Sequence, residues 1–234
     1  MTRCSVVIPA YNESESIELV LNRIRESVSF DFECLIVVDS DKDLTIPLIY
    51  KVSQLDPRFK LVINGLGNGP AYAIRAGIQE SKSDVVVVTM ADGSDDPRDI
   101  EELVLLVERG VHVACASRYM PTGQQIGAPL LKSLLSRLAG KSLNLLARVG
   151  TRDATNSFKA YNKTFLEKVG VESKYGFEMG IELVSKAHRR GFLIAEVPTI
   201  WIERNSGESR FNLFNWAPKY LSWYLYALGI RRKA

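Results

Sequence analysis

Hydrophobic and polar positions form alternating blocks along the first half of the chain, and these blocks predict strands and helices in turn. Short continuous apolar runs are typical of strands buried in a parallel sheet, whereas apolar residues spaced three and four apart indicate helices. Strands are predicted at 5–8, 34–38, 61–63, 85–89 and 111–117, and helices at 15–28, 46–55, 70–81 and 99–109. This alternation indicates βαβ units, and therefore an α/β fold with a mostly parallel central sheet flanked by helices.

The second half has a less regular pattern. It predicts a long amphipathic helix at 130–148, a loop that passes into a strand at 153–161, a helix at 177–190 and a strand at 194–202. Pro198 suits an edge strand because proline cannot donate a ladder hydrogen bond. No repeat or linker divides the chain, so we expect a single domain over 1–212, with halves of about 1–120 and 121–212, followed by a segment at 213–234.

Polar residues follow three of the predicted strands. The first strand ends in Pro9-Ala10-Tyr11-Asn12-Glu13, the second in Asp39, and the run at 85–88 leads into Met90-Ala91-Asp92-Gly93-Ser94-Asp95-Asp96-Pro97. The carboxyl ends of parallel strands meet at one edge of a sheet, where open α/β folds bind nucleotides. The pattern predicts a nucleotide site at this edge.

Composition and charge narrow the class of protein. Of the 234 residues, 46% are hydrophobic and 24% charged, which is ordinary for a soluble globular protein, and a net charge of +3 does not indicate a nucleic-acid partner. The three cysteines lie in or beside apolar runs and predict buried thiols in a reducing compartment, and two histidines exclude a histidine-rich metal site. We expect no signal peptide and no membrane-spanning helix, and hence a cytoplasmic protein.

The order and spacing of these motifs resemble those of glycosyltransferase family 2, and within it the dolichyl- and polyprenyl-phosphate mannose synthases. The resemblance covers about residues 6–210, and its pieces are 6–13, 37–45, 64–77, 90–97, 117–119, 153–161 and 196–211. It implies a glycosyltransferase-A fold, with a nucleotide half before an acceptor half. It also implies a hexosyltransferase that moves a sugar, in the first instance mannose from GDP-mannose, onto a polyprenyl or dolichyl phosphate with inversion.

By this resemblance, residues at three strand ends and one arginine near the C-terminus contact the nucleotide sugar. The residues are Pro9, Ala10, Tyr11, Glu13, Val37, Asp39, Ala91, Asp92 and Arg210. The family has two adjacent aspartates where this chain has Val38 and Asp39. Two plainer interpretations stay open: Glu13 favours the N-terminus of the next helix, and the glycine-rich run 64–69 is a turn without ligand contact.

A metal site is implied at the third strand end, where the family carries Asp-Ala-Asp. Here the first aspartate is replaced by Met90, Asp92 matches the second, and Asp95 is an added carboxylate. Oxygen ligands suit Mg²⁺ or Mn²⁺, which stabilises a leaving nucleoside diphosphate. We therefore predict a metal held by Asp92 and Asp95. The alternative is that Asp95 and Asp96 cap the helix that follows.

Basic residues are implied to face phosphates. The acceptor phosphate set is Arg118, Lys132, Arg204, Ser209 and Arg210, and the catalytic set is Asp92, Asp95, Arg118 and Arg204. Guanidinium groups suit bidentate phosphate contacts, and the loop around Gly207 is expected to close over the diphosphate. Two interpretations of the motif at 153–161 stay open. It either shapes the acceptor side of the site or forms only a structural turn.

The C-terminal segment is aromatic and basic. Trp201, Trp216 and Trp223 are the three tryptophans, and Arg231-Arg232-Lys233 follow them. Aromatic residues beside cations are typical of a segment at a membrane interface, which would place the protein at the cytoplasmic face of a membrane. A helix docked on the core is the alternative.

The chemical group of the acceptor that attacks the sugar decides whether the enzyme needs a general base. A phosphate is already an anion, whereas a hydroxyl acceptor needs a general base, for which Asp153, Glu178 and Glu182 are the candidates. A soluble enzyme acting on a sugar or protein hydroxyl is therefore a second hypothesis. A non-catalytic nucleotide-sugar-binding module is a third, because Val38 and Met90 replace two carboxylates of the family.

Overall fold

The computed structural model describes residues 2–174, 176–203 and 213–230, without the side chains of Lys132 and residues 213–216. Within these ranges the strands are β1 Cys4–Ala10, β2 Phe32–Val38, β3 Phe59–Ile63, β4 Val85–Val88, β5 Val113–Ser117, β6 Gln124–Ile126, β7 Lys159–Asn162, β8 Ile194–Pro198 and β9 Ile200–Ile202. The helices are α1 Ile17–Ser27, α2 Ile46–Leu55, α3 Pro70–Glu80, α4 Ile100–Glu108, α5 Leu130–Ala147, α6 Lys163–Val169, α7 Met179–Arg189 and α8 Leu213–Ala227.

The main sheet is mostly parallel, as the sequence predicts. Its strand order is β3-β2-β1-β4-β7-β5-β8, and β6 and β9 form a separate two-stranded parallel ribbon. β7 runs antiparallel to both of its neighbours, β4 and β5. The chain moves from β1 to β2 on one side and returns to β4 on the other, so a crevice opens at the carboxyl ends of β1 and β4.

The core explains why the strands are continuous apolar runs. β1, β2 and β4 are buried at every position because helices cover both faces of the sheet. Ile8 and Ile36 belong to the apolar cluster that includes α1 and α4, and Val7 belongs to the opposite cluster with α3 and α7. At Gly77 of α3 a Cβ would lie 2.3 Å from Val7 Cγ1, so only glycine permits this close helix–sheet approach.

Most predicted elements are confirmed to within a few residues, with three local corrections. The run 194–202 is two strands rather than one, because the chain passes from the main sheet to the ribbon at Thr199. Pro198 does lie on the edge strand β8. β6 and α6 were not predicted, and Ser16 stands at the start of α1 without capping it, since its hydroxyl donates instead to Glu13.

The C-terminal helix α8 is docked on the core, which was the alternative to a segment at a membrane interface. Trp223 and Ala227 of α8 are buried within the apolar cluster that contains α7, and Tyr224 Oη donates to Ser142 Oγ of α5 at 2.8 Å. Trp216 and the basic residues 231–233 lie outside the described side chains. The predicted burial of all three thiols is confirmed. Among the described residues, no helix has both the length and the apolar character needed to cross a bilayer.

Candidate active site

The end of β1 is fixed by the turn that follows β2. Asn12 has a positive φ of 54°, its backbone N–H donates to Asp43, and its side chain accepts from Leu44 N–H at 3.2 Å. Asp43 also accepts from the backbone and hydroxyl of Thr45. Asp43 is therefore a turn residue. The neighbouring Tyr11 is left half-exposed at the crevice.

Asp39 at the end of β2 is oriented by the glycine-rich turn. Its Oδ1 accepts from Asn64 Nδ2 at 2.8 Å and its Oδ2 accepts from Gly69 N–H at 2.7 Å. Asn64 in turn donates to Gly67 O and accepts from Leu66 N–H. The turn at 64–69 thus holds the carboxylate of Asp39 in place. It is a structural turn, but it orients a residue that is predicted to contact the nucleotide.

Asp92 and Asp95 follow β4 in different surroundings. Asp95 is buried and accepts from Thr89 Oγ1 at 3.0 Å and Met90 N–H at 3.1 Å, whereas the half-buried Asp92 accepts from Ser94 N–H. Burial, and then the negative charge of Asp92, raise the pKa of Asp95 to about 7. The capping alternative holds for Asp96, which accepts from Arg98 N–H at the start of the 3-10 turn Pro97–Asp99.

Arg118 forms a buried bidentate ion pair after β5. Its Nε and Nη2 donate to the two carboxylate oxygens of Asp153 at 2.7 and 2.9 Å, and its backbone N–H donates to the same carboxylate at 3.0 Å. Burial alone would lower the pKa of Arg118, but Asp153 outweighs burial and raises it. Burial would likewise raise the pKa of Asp153, yet Arg118 holds it below its usual range. Both groups are therefore charged at neutral pH.

One cavity of about 1780 Å³ joins these strand ends to the second half of the chain. Its polar end is lined by Pro9, Ala10, Tyr11, Glu13, Asp39, Met90, Asp92, Asp95 and Arg118. Its other end is lined mainly by apolar residues of α5 and α8, namely Leu135, Leu138, Ala139, Ala217, Pro218, Tyr220, Leu221 and Tyr224. The cavity is thus polar at the sheet edge and apolar between the two helices.

The predicted site residues divide into three groups. The structure brings most of the strand-end residues and Arg118 to the cavity wall. Val37 and Ala91 are buried and do not line it, because Val37 is paired on both sides within the sheet. Arg204, Ser209, Arg210 and the side chain of Lys132 lie outside the described residues, so their roles stay predictions.

None of the three candidate bases lines the cavity. Asp153 is fully buried against Arg118. Glu182 is fully buried and accepts from Ser173 N–H at 2.8 Å and Lys186 Nζ at 2.7 Å, so it serves the fold. Glu178 is 2% exposed.

Comparison with known proteins identifies the family. The sequence profile named Glycosyl transferase family 2 matches residues 5–170. The chain belongs to glycosyl transferase family 2. Family 2 relatives include a polyprenol monophosphomannose synthase of Mycolicibacterium smegmatis, 32% identical over 90% of this chain and 81% of the relative. An undecaprenyl-phosphate mannosyltransferase of Micrococcus luteus is 29% identical over 90% of this chain and 88% of the relative.

Solved structures confirm the glycosyltransferase-A fold. Glucosyl-3-phosphoglycerate synthase of Mycobacterium tuberculosis, in complex with UDP, superposes with a TM-score of 0.71 at 20% identity and covers 98% of this chain and 81% of its own. A complex of the same enzyme with Mn²⁺, UDP and glucosyl-3-phosphoglycerate gives a TM-score of 0.69 at 20% identity, with the same coverage. At this identity the likeness shows the shared fold.

Sequence reasoning missed the residues that hold the site together. Thr89 orients Asp95, Asn64 orients Asp39, and Asp153 pairs with Arg118, although Asp153 was weighed as a base. Trp201 and Glu203 also line the cavity. The leucines of α5 recur at three- and four-residue spacing, and the amphipathic helix predicted from them at 130–148 is confirmed.

Proposed function

We propose that this family 2 enzyme transfers a sugar from a nucleotide sugar to a polyprenyl or dolichyl phosphate, with mannose from GDP-mannose as the donor to test first. The observation that carries the proposal is the two-ended cavity, polar at the ends of β1, β2 and β4 and apolar between α5 and α8. A nucleoside diphosphate fits the first end through hydrogen bonding, and its negative charge would be balanced by Arg118 and by a divalent cation held at Asp92 and Asp95. An isoprenoid chain fits the second end, and its phosphate would lie toward Arg118 at the polar end.

Arg118 is suited to hold a phosphate. Asp153 engages Nε and Nη2, so Nη1 remains available for an anion at the cavity wall. The rings of Tyr119 and Trp201 lie 5.0 and 5.9 Å from the guanidinium carbon and limit its movement. A guanidinium held in place at a cavity wall binds phosphate more strongly than a mobile surface arginine.

Among the described residues, none of the three carboxylates predicted as bases lines the cavity, and this favours a phosphate acceptor. An anionic phosphate oxygen attacks the anomeric carbon directly, the bond from that carbon to the diphosphate breaks, and the electron pair leaves with the nucleoside diphosphate. No proton has to be removed. This fits a cavity from whose wall Asp153, Glu178 and Glu182 are all absent.

The residues present fit a hard divalent cation. Asp92 and Asp95 both line the cavity. Burial, followed by the negative charge of Asp92, raises the pKa of Asp95 to about 7, and a cation at this position would favour the charged form of both carboxylates. Met90 offers a thioether that suits Mg²⁺ and Mn²⁺ poorly. No group of three or more His, Cys, Asp or Glu side chains forms a metal cage in the described ranges, so the remaining ligands would come from the diphosphate and water. Mg²⁺ or Mn²⁺ held there would supply positive charge to the leaving diphosphate.

The test compares two acceptors that differ in one group. Purified protein with Mn²⁺ and each common sugar nucleotide is given either polyprenyl phosphate or the matching polyprenol. We expect lipid-linked sugar from the phosphate alone. Product from neither acceptor with any donor would overturn the proposal, and it would favour the nucleotide-sugar-binding module if donor binding persists.

Transfer to a hydroxyl is the second candidate, and one carboxylate favours it. Glu203 lines the cavity beside Trp201, on the acceptor side. If Glu203 is a general base, Glu203→Gln should lower turnover by at least about 100-fold, the scale of general base catalysis. Under the phosphate proposal the same variant should keep most of its turnover.

A further inference from the structure

A lysine lies inside the main sheet. Lys159, the first residue of β7, is fully buried and is paired with Val88 of β4 on one side and Cys115 of β5 on the other. Directly opposed side chains share a face of a sheet, so Lys159 lies on the face whose apolar cluster contains Val88, Cys115 and residues of α7. A buried ammonium group is costly, and such groups are candidates for a functional role.

The ammonium group of Lys159 donates to backbone carbonyls and not to a carboxylate, as far as the described residues show. Its Nζ donates to Ala154 O at 3.3 Å and also to Asn156 O. Gly180 of α7 packs against the same place, because a Cβ there would lie 3.5 Å from Nζ and 2.9 Å from Asn156 O. Lys159 is therefore enclosed between the sheet and α7, with its charge turned toward the segment 154–157.

The segment that Lys159 holds is part of the cavity wall. Three of its residues line the cavity, namely Thr155, Asn156 and Ser157. Asn156 also donates from Nδ2 to Ala116 O of β5 at 2.9 Å, which ties this wall to the strand that precedes Arg118. Lys159 itself does not line the cavity, so it supports the wall from behind.

Lys159 also changes the charge of the neighbouring ion pair. Arg118 and Asp153 together carry no net charge, and a neutral pair attracts an anion only weakly. Burial would raise the pKa of Asp153, but Arg118 and then Lys159 lower it, so both cations act on the same carboxylate. We call Arg118, Asp153 and Lys159 the cationic triad, because two cations share one carboxylate. Arg118 is its member at the cavity wall.

Asp95 is the other carboxylate that acts on the cationic triad. Its negative charge favours the protonated forms of both Arg118 and Lys159. In the proposed function a divalent cation held at Asp92 and Asp95 balances these two carboxylates, so they do not cancel the triad. The triad then keeps a surplus of positive charge on the side where an acceptor phosphate would lie.

We propose that Lys159 is a positioning residue for the acceptor phosphate and acts through Arg118 and the segment 154–157. The inference rests on the proposed function, because the anion that it concerns is the phosphate of the lipid acceptor. The hydrogen bonds of Lys159 hold the cavity wall, and its charge gives the Arg118–Asp153 pair a net attraction for that anion. A neutral residue at this position would keep the ion pair but remove the surplus charge.

The test uses two ligands that differ only in the phosphate. Farnesyl phosphate and farnesol are titrated into the full chain by calorimetry, and the ratio of their dissociation constants defines the phosphate preference. A change that only disturbs the fold should weaken both ligands alike and leave this ratio unchanged. Lys159→Met removes the charge, Lys159→Gln removes the charge but keeps a hydrogen-bond donor, and Lys159→Arg keeps the charge.

Lys186→Met is the matched control. Lys186 is also a buried lysine whose Nζ donates to two backbone carbonyls, those of Val169 and Gly170. It pairs with Glu182, however, and neither residue lines the cavity. Lys186→Met should therefore lower the melting temperature without changing the phosphate preference.

We expect Lys159→Met and Lys159→Gln to lower the phosphate preference at least about tenfold, the scale of removing one charge near a partly screened anion. Lys159→Arg should stay within about threefold of wild type, since it keeps the charge. If Lys159→Met does not fold, Lys159→Gln decides the comparison. An unchanged preference in the neutral variants would overturn the proposal, and so would an equal loss in Lys186→Met.

Failure of this role can be told apart from failure of the proposed function. If wild type forms lipid-linked sugar but the neutral variants keep its phosphate preference, the activity stands and the role of Lys159 is overturned. If wild type forms no product but its phosphate preference is lost in the neutral variants, the anion site stands without the proposed activity. If wild type binds farnesyl phosphate no better than farnesol, both proposals are overturned.

Discussion

The two halves of the molecule hold their charged groups in different ways. In the nucleotide half, ion pairs such as Arg3–Glu108 and Lys51–Glu18 are exposed, and the carboxylates at the crevice are held by neutral groups of neighbouring turns. In the acceptor half Lys186–Glu182 is a buried pair, and Arg118–Asp153 is a buried pair that joins the two halves. Buried ion pairs are weak sources of stability but define geometry, because breaking one leaves an uncompensated charge.

The halves also differ in their apolar surface. β1, β2 and β4 are buried at every position, so the nucleotide half encloses its apolar residues between helices and sheet. The acceptor half exposes a helix face of leucines beside an apolar cleft. The difference agrees with the proposed function, in which the first half presents polar groups to a nucleotide sugar and the second meets an apolar acceptor.

The largest expected effect comes from breaking the buried pair Arg118–Asp153, which joins the two halves. Asp153→Asn should destabilise the fold by about 3 kcal/mol or more, the scale for removing one partner of a buried pair, and lower turnover at least about 100-fold by freeing Arg118. The matched control is Asp56→Asn, which breaks the more exposed bidentate pair with Arg58 and should cost at most about 1 kcal/mol. Thermal unfolding and turnover measure both. Equal effects of the two variants would remove the contrast between the halves.

Two glycines probe the close contacts of each half. Gly140→Ala places a Cβ against the carbonyl of Arg152, and Gly77→Ala places one against Val7. Each should cost about 1–3 kcal/mol of stability through overpacking. Because Gly140 abuts the loop that carries Asp153, only Gly140→Ala should also raise the KM for the acceptor, by several-fold. Steady-state kinetics at varied acceptor would detect this, and a rise of similar size in Gly77→Ala would argue against it.

A smaller and donor-specific effect is expected at the end of β2. Asp39→Ala removes the acceptor of Gly69 N–H and one of the two acceptors of Asn64 Nδ2, at a cost of about 1–2 kcal/mol of stability. Because it also removes the carboxylate predicted to contact the nucleotide, we expect donor affinity to fall roughly tenfold. The acceptor KM should not change. Calorimetric titration with the sugar nucleotide measures the effect, and Asp84→Ala at an exposed position is the control. A change in acceptor KM larger than that in donor affinity would reverse the assignment of the two ends.

The smallest effect concerns pH and stability. Burial raises the pKa of Asp99 to about 6, so the folded state holds this proton more tightly than the unfolded chain. The associated stability is present below the ordinary carboxyl pKa and is lost as pH rises through about 6. Asp99→Asn should therefore raise the melting temperature at pH 8 and have little effect near pH 4. If Asp99→Asn raised the melting temperature equally at both pH values, the raised pKa of Asp99 would be contradicted.

The nucleotide half could be predicted from the sequence because its elements are local. Ile46–Leu55 is predicted to the residue, and the strands ending at Val38 and Ile63 are predicted at their carboxyl ends, where the polar residues matter. Turn residues and apolar periodicity decide such elements. The pairing of Asp39 with Asn64 and Gly69 depends on two strands lying side by side, which spacing alone does not show.

The acceptor half was predicted less well because its contacts are distant in sequence. Arg118 meets Asp153 only when β7 runs antiparallel between β4 and β5, and no local pattern specifies that reversal. The docked state of Trp223 depends on α7, and the composition of the C-terminal segment fits an interfacial helix equally well. The glycosyltransferase-A fold, by contrast, was implied by the resemblance to glycosyltransferase family 2, which rests on the order of several motifs taken together.

The most direct test of the proposed transfer is the chemical nature of the product. The protein is incubated with Mn²⁺, GDP-mannose and polyprenyl phosphate, and the organic extract is examined by mass spectrometry and ³¹P NMR. We predict a phosphodiester that joins the anomeric carbon of mannose to the lipid phosphate with inverted configuration, and its loss in Arg118→Met. Unchanged polyprenyl phosphate with every common sugar nucleotide, from protein that still binds a donor, would contradict the account.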